Sequence, residues 1–128
     1  MIVDSSALIS ILLEEAGYEK VLDKVNDAEL VFLAAPTALE AAIVLSARLG
    51  RDARPMLAGL VRRMNAEMVD FTQRHYEAAV AAYLRFGKGR HPAALNFGDC
   101  ISYALASESG LPLLYTGGDF SRTDIQRA

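Results

Sequence analysis

The chain has 128 residues, one domain's worth, and 52% of them are hydrophobic, which excludes a disordered chain and leaves enough to bury a real core. The net charge is -3 with a pI near 5.3, so bulk charge gives no case for nucleic-acid binding, and any such contact needs a local basic patch. Cys100 is the only cysteine, which excludes an intrachain disulfide framework or thiolate zinc site and fits a reducing compartment.

The opening Met1-Ile2-Val3-Asp4 has no basic, signal-like character. Ile2-Val3 reads as a short buried strand ending at Asp4. Ser5 or Ser6 can cap a helix carrying Ala7, Leu8, Ile11 and Leu12, with Gly17 as its stop. Tyr18, Val21, Leu22 and Val25 recur at helical spacing and mark a second amphipathic helix. Leu30 to Ala35 is a continuous apolar strand of the kind buried on both faces. Pro36-Thr37 opens a third helix that runs to about Leu49. Pro36, Thr37 and Glu40 interrupt the apolar run from Leu30 to Ala47, so it reads as strand, turn and buried helix and not as a membrane span.

Pro55 suits the start of a fourth helix with Leu57, Leu60, Val61 and Met64 on one face. Met68 to Phe71 is a third strand. Thr72 can cap the next helix, marked by Tyr76, Ala79, Val80 and Tyr83. Gly87, Gly89 and Pro92 form a loop. A helix follows from about Gly98 to Ser109, then a strand from Pro112 to Thr116, and Gly117-Gly118-Asp119 turns into a short final helix. Strands separated by helices predict a parallel sheet with right-handed crossovers and helices on both faces. The expectation is a soluble cytoplasmic protein forming one α/β domain over residues 1–128.

Four acids stand at strand or helix ends: Asp4, Glu40, Asp99 and Asp119. Asp4 closes the first strand and Asp119 follows the last. Glu40 lies in the first turn of the helix leaving the second strand. The helix bearing Asp99 ends at Gly110, almost where the last strand begins, so the two run antiparallel. At ~1.5 Å per residue the helix covers roughly 16 Å, about the length of that strand at ~3.3 Å per residue, and Asp99 returns to the same sheet edge. Ligand sites in such sheets lie outside the carboxyl ends of the strands. Glu40 also shares its helix face with Ile43, Val44 and Ala47, where an unpaired carboxylate is expensive.

Each acid has a plainer explanation. Asp4 and Asp119 are good cap residues, Thr37-Ala38-Leu39-Glu40 matches a capping box, and Asn96-Phe97-Gly98-Asp99 resembles one. Four carboxylates converging without a basic partner repel one another, however, and Mg2+ or Mn2+ suits such a hard oxygen site. Metal-assisted phosphodiester chemistry is then the reaction to consider. Ser6, Asn96 and Thr116 stand where they can orient ligands. Arg85, Lys88 and Arg90, with His91, form a basic segment entering the loop that delivers Asp99, placed to hold a phosphate backbone. Arg48, Arg51, Arg54, Arg62 and Arg63 read as solvent-facing helix ends. His75 and His91 lack metal-ligand spacing, and Cys100 reads as core. No phosphate-binding glycine fingerprint or hydrolase nucleophile elbow is present.

These residues resemble a PIN domain, in particular a VapC-type ribonuclease toxin of a toxin–antitoxin pair. The similarity is carried by Ile2-Val3-Asp4-Ser5-Ser6-Ala7-Leu8, by Glu40, by Leu95-Asn96-Phe97-Gly98-Asp99-Cys100, and by Leu113 to Phe120 with Thr123-Asp124-Ile125. It implies a three-layer α/β/α sandwich around a mainly parallel sheet. It also implies Mg2+- or Mn2+-dependent endoribonuclease activity on RNA, a homodimer, and neutralisation by a cognate VapB-type antitoxin whose tail can block the acidic site. By position, Asp4, Glu40, Asp99 and Asp119 would be the acidic tetrad, with Asp124 competing for the fourth place. Gly118 departs from the family, which commonly has an acidic or amide residue there. The alternative function is a non-catalytic domain that binds RNA or protein, its acids serving as caps or a structural cluster.

Overall fold

The computed structural model describes residues 1–128. In chain order it contains β1 (Ile2–Val3), α1 (Ser5–Leu12), α2 (Tyr18–Asn26), β2 (Phe32–Ala34), α3 (Ala35–Leu49), α4 (Arg54–Arg63), β3 (Glu67–Val69), α5 (Gln73–Phe86), α6 (Phe97–Ser109), β4 (Leu113–Leu114) and a 3-10 turn at Phe120–Arg122. The strands lie in the order β3-β2-β1-β4, and every neighbouring pair is parallel.

Strand alternation builds two cores. Val3, Leu33 and Leu114 point into one, packed against Leu8 of α1, Val25 of α2, Leu45 of α3 and Leu60 of α4. Ile2, Ala34 and Leu113 point into the other, against Phe86 of α5 and Ile101 and Leu105 of α6. The result is the expected α/β/α sandwich. No helix is long and apolar enough to cross a membrane.

Several boundaries differ from the sequence reading. Asp4, not Ser5 or Ser6, caps α1: its backbone is extended (φ -81°, ψ 158°) and its carboxylate accepts the Ser6 N–H. That helix ends at Leu12, and left-handed Glu14 (φ 50°) turns the chain; Gly17 (φ 88°) instead opens α2. Strand β2 is shorter than expected because α3 already begins at Ala35. At the sheet edge, β3 starts one residue early because its register pairs Glu67 with Phe32. The last strand is shortened to Leu113–Leu114, and residues 126–128 cover its outer edge through Leu113 N–H to Gln126 O (2.9 Å) and Ala128 N–H to Leu113 O (3.0 Å).

The chain moves from β1 outward through β2 to β3, then returns to place β4 on the other side of β1. The direction of winding therefore changes between β1 and β4, which opens a crevice at their carboxyl ends. Asp4 follows β1 directly, and Thr116 lies two residues past the end of β4.

Candidate metal centre

Asp4 leaves β1 almost fully buried, at 2% exposure. Its Oδ2 accepts from the Ser6 N–H (2.9 Å) and the Ser6 hydroxyl (2.6 Å), and its Oδ1 accepts from the Ser102 hydroxyl on α6 (2.6 Å). Ser102 also lies 3.3 Å from the Thr37 hydroxyl of α3. The Ser6 hydroxyl accepts the Thr116 N–H (3.1 Å), so one serine ties Asp4 to the end of β4. Thr116 contributes its backbone N–H to this network.

Asn96 caps α6 reciprocally with Asp99. Asn96 Oδ1 accepts the Asp99 N–H (2.9 Å), and Asp99 Oδ2 accepts the Asn96 N–H (2.8 Å). Asp99 nevertheless titrates at about 6: burial raises it most, the Asn96 bond opposes this, and the charges of Asp4, Asp119 and Glu40 raise it further. Asp99 is thus within electrostatic reach of the other three acids.

Glu40 is not part of a capping box. The cap position of α3 is Ala34, and no side chain bonds there. The Glu40 carboxylate instead lies against Gly98 of α6, and a Cβ on Gly98 would collide with it. Its Oε2 is buried without a hydrogen-bond partner. Burial, then the charge of Asp4, raises its pKa, with the nearby Ser5 hydroxyl offsetting part. Asp119 occupies the cap position of the final 3-10 turn, yet its side chain makes no cap bond. Two of the acids therefore serve as caps, while Glu40 and Asp119 have no evident structural employment.

A cleft of about 360 Å³ gathers Ser6, Glu40, Asn96, Asp99, Thr116 and Asp119 on its walls. As placed, no three acids are close enough to hold one ion together. Asp4 is saturated by hydroxyl and amide donors, and Asp99 folds back onto its own cap. The donor set still fits a hard divalent cation: it is all oxygen, and the orphaned Glu40 Oε2 needs a positive partner.

Asp124 lies elsewhere. It accepts from the Tyr103 hydroxyl (2.6 Å) and from Arg85 (2.6 Å), which hold its carboxyl below the usual range despite partial burial. Arg85 is therefore paired, and it also stacks on Phe86 at 4.4 Å. Lys88 and Arg90 are exposed, and the Arg90 Nε lies 3.4 Å from the Leu84 carbonyl. None of the three lines the cleft. His75 completes a capping box with Thr72, and the His91 Nδ1 accepts the Ala93 N–H (3.1 Å). Burial and Asp99 push the Cys100 thiol up to about 11, which suits a core residue and not a nucleophile.

Ser102 and Gly98 went unrecognised in the sequence. A serine inside the apolar run Cys100 to Leu105 was the available signal for a buried polar partner. Nothing local marked Gly98, because its neighbour Glu40 comes from another helix.

Residues 1–126 match the PIN domain family. Ribonuclease VapC36 of Mycobacterium tuberculosis is 42% identical over 127 residues, covering 98% of this chain and 91% of that protein. Ribonuclease VapC of Mycolicibacterium smegmatis is 41% identical over 125 residues, covering 98% and 97%. The fold is similar to the crystal structure of Mycobacterium tuberculosis VapC20, described as a sarcin-ricin loop cleaving toxin, with a TM-score of 0.80 at 18% identity over 99% of this chain and 97% of that one. A toxin–antitoxin complex from Klebsiella pneumoniae gives a TM-score of 0.69, also at 18% identity, over 96% and 92%. The chain is a PIN domain and belongs to the VapC ribonuclease family.

Proposed function

We propose that this protein is a Mg2+- or Mn2+-dependent endoribonuclease, the toxin of a toxin–antitoxin pair, and that Asp4, Glu40, Asp99 and Asp119 form its metal centre. The observation that carries the site is the Glu40 carboxylate, held in a cleft of acids with a buried oxygen and no partner. Membership of the VapC ribonuclease family supports the reaction class.

Glu40, Asp99 and Asp119 would hold the ion, with buried Asp4 adding charge from beneath and exchanging a hydrogen bond for a ligand contact. A bound divalent ion supplies Lewis-acid polarisation of the phosphodiester and neutralises charge on the leaving oxygen. Ser6 and Ser102 fix the orientation of Asp4. Asn96 holds the first turn of α6, and with it Asp99, at the cleft. Lys88 and Arg90, exposed and without a carboxylate partner, would meet a more distant RNA phosphate. Arg85 can do so only by leaving Asp124.

The partners follow from the same reading: RNA as substrate, a VapB-type antitoxin, and a second copy of the chain. Pro36, Leu39 and Ile43 of α3, Val80 of α5 and Phe97 of α6 form an uncovered apolar face, with Phe97 84% exposed. A homodimer through this face would bring two acidic clefts near one groove.

The test is end-sequencing of total bacterial RNA after incubation with the purified chain, in Mn2+ and in chelator. New ends that require the metal support the assignment. Folded protein that creates none, yet still binds RNA in chelator, would favour a non-catalytic binding domain.

A further inference from the structure

The acidic cleft has one cationic residue on its wall, Arg48, and it lies opposite Glu15. Glu40, Val44 and Arg48 follow one another at i, i+4 and i+8 on the same face of α3, and all three line the cleft. Arg48 is thus displaced from Glu40 by roughly 12 Å along the helix axis, too far for the same phosphate but suitable for a flanking one. Its Nη1 meets Glu15 Oε1 at 2.9 Å, and both side chains remain substantially exposed, 54% and 42%.

Glu15 is held there by the backbone. Left-handed Glu14 (φ 50°), a costly conformation outside glycine, turns the chain just past α1, and the Glu15 N–H bonds the Ser10 carbonyl at 3.0 Å. An exposed ion pair of this kind contributes ~0–1 kcal/mol, so an incoming anion can displace it. A polyanionic strand entering a cleft walled by carboxylates needs a cation beside the metal position. The guanidinium also offers the planar fork suited to a phosphate.

Resting on the ribonuclease reading, we infer that Arg48 anchors an RNA phosphate flanking the scissile one, and that Glu15 competes with the RNA for it. The anchor works by exchange: the guanidinium leaves the Glu15 carboxylate for the phosphate, and no bond in the substrate changes. Glu15 therefore sets how strongly the empty cleft attracts RNA.

The two members of this ion pair make opposite predictions. A structural role would make Arg48→Gln and Glu15→Gln act alike, since each breaks the same pair. An anchoring role separates them. The measurement is binding of a fluorescently labelled single-stranded RNA in chelator, beside single-turnover cleavage in Mn2+. Arg48→Gln is expected to weaken binding about tenfold, the worth of one charge-assisted contact. It also lowers the salt dependence by about one phosphate contact. Glu15→Gln tightens binding about two- to fivefold, the range expected from losing a weak exposed competitor. Arg48→Lys recovers part of the loss. In cleavage, the Arg48→Gln defect falls on the RNA concentration needed, and Mn2+ affinity does not fall. Wild-type protein that binds and cuts RNA, with the two Gln variants shifted the same way or not at all, overturns the anchor and leaves the ribonuclease reading intact. Wild-type protein that neither binds nor cuts RNA overturns both.

Discussion

The Glu40 carboxylate of α3 rests against the bare α-carbon of Gly98 on α6, a contact that admits no side chain. This contact joins α3 to α6 beside the cleft and buries the orphaned Oε2 between them. Gly98→Ala sets two effects against each other. Alanine favours the helix by up to ~1 kcal/mol, and crowding costs about 1–3 kcal/mol. The expected outcome is a small stability change with at least about tenfold less cleavage, the consequence of displacing a catalytic-site ligand by an ångström or so. Circular dichroism melts beside an RNA cleavage assay check this. Full activity in a folded Gly98→Ala protein would show that Glu40 need not sit there.

Asp119 and Asp124 should separate cleanly. Asp119 has no bond to lose, so Asp119→Asn should leave the unfolding midpoint nearly unchanged while reducing metal-dependent cleavage by about 100-fold or more, as the loss of an electrostatic group at the reacting centre does. Asp124 links Tyr103 to Arg85, so Asp124→Asn should destabilise by about 1 kcal/mol and spare most activity. Reversed phenotypes in urea denaturation and cleavage assays would move the fourth acid to Asp124.

Removing the Ser102 hydroxyl leaves Asp4 Oδ1 buried without its donor. Ser102→Ala should cost about 1–3 kcal/mol, the penalty for an unsatisfied buried polar group. Ser102→Thr, which restores a hydroxyl, should recover part of that in chemical denaturation. Stability unchanged in Ser102→Ala would mean that Asp4 is oriented by Ser6 alone.

The raised acids fix the direction of the pH dependence without metal. Asp99 titrates at about 6 and Glu40 is also raised, so the folded state binds more protons than the unfolded chain above the ordinary carboxylate range. The Asp99 contribution is most stabilising below the unfolded pKa and is lost as pH rises through about 6, and Glu40 acts in the same direction. Thermal melts in chelator should fall in midpoint between about pH 4.5 and 7. Asp99→Asn should flatten the slope, and millimolar Mn2+ should restore stability at neutral pH. A midpoint that rises steadily over this window would contradict the burial and mutual repulsion that raise these acids.

The sheet, its helices and the sheet edge that carries Glu40, Asp99 and Asp119 were legible from strand–helix alternation and from the position of each acid near an element's end. Asp4 and Asp99 were readable as helix-capping acids, and of the two Asp99 lines the cleft while Asp4 lies buried beneath it. The capping expectation for Glu40 failed because α3 begins at Ala35, ahead of Pro36, which puts Glu40 beyond the cap. Ser102, Gly98 and Glu15 were not legible. Their meaning comes from contacts between segments distant in sequence, Ser102 with Asp4, Gly98 with Glu40, and Glu15 with Arg48. Arg48 read as a solvated helix end, and only the packing of α1 against α3 brings it to the cleft. Arg85 looked free to hold RNA until the fold paired it with Asp124.

The most direct test of the metal centre is anomalous diffraction from a crystal of the protein grown with Mn2+. The expected result is a peak in the cleft with oxygens of Glu40 and Asp99 at about 2.0–2.2 Å, Asp119 directly or through water, and loss of the peak in Asp119→Asn. A fully occupied crystal-grade Mn2+ condition with no peak among these acids, in a protein that still cuts RNA, would contradict it.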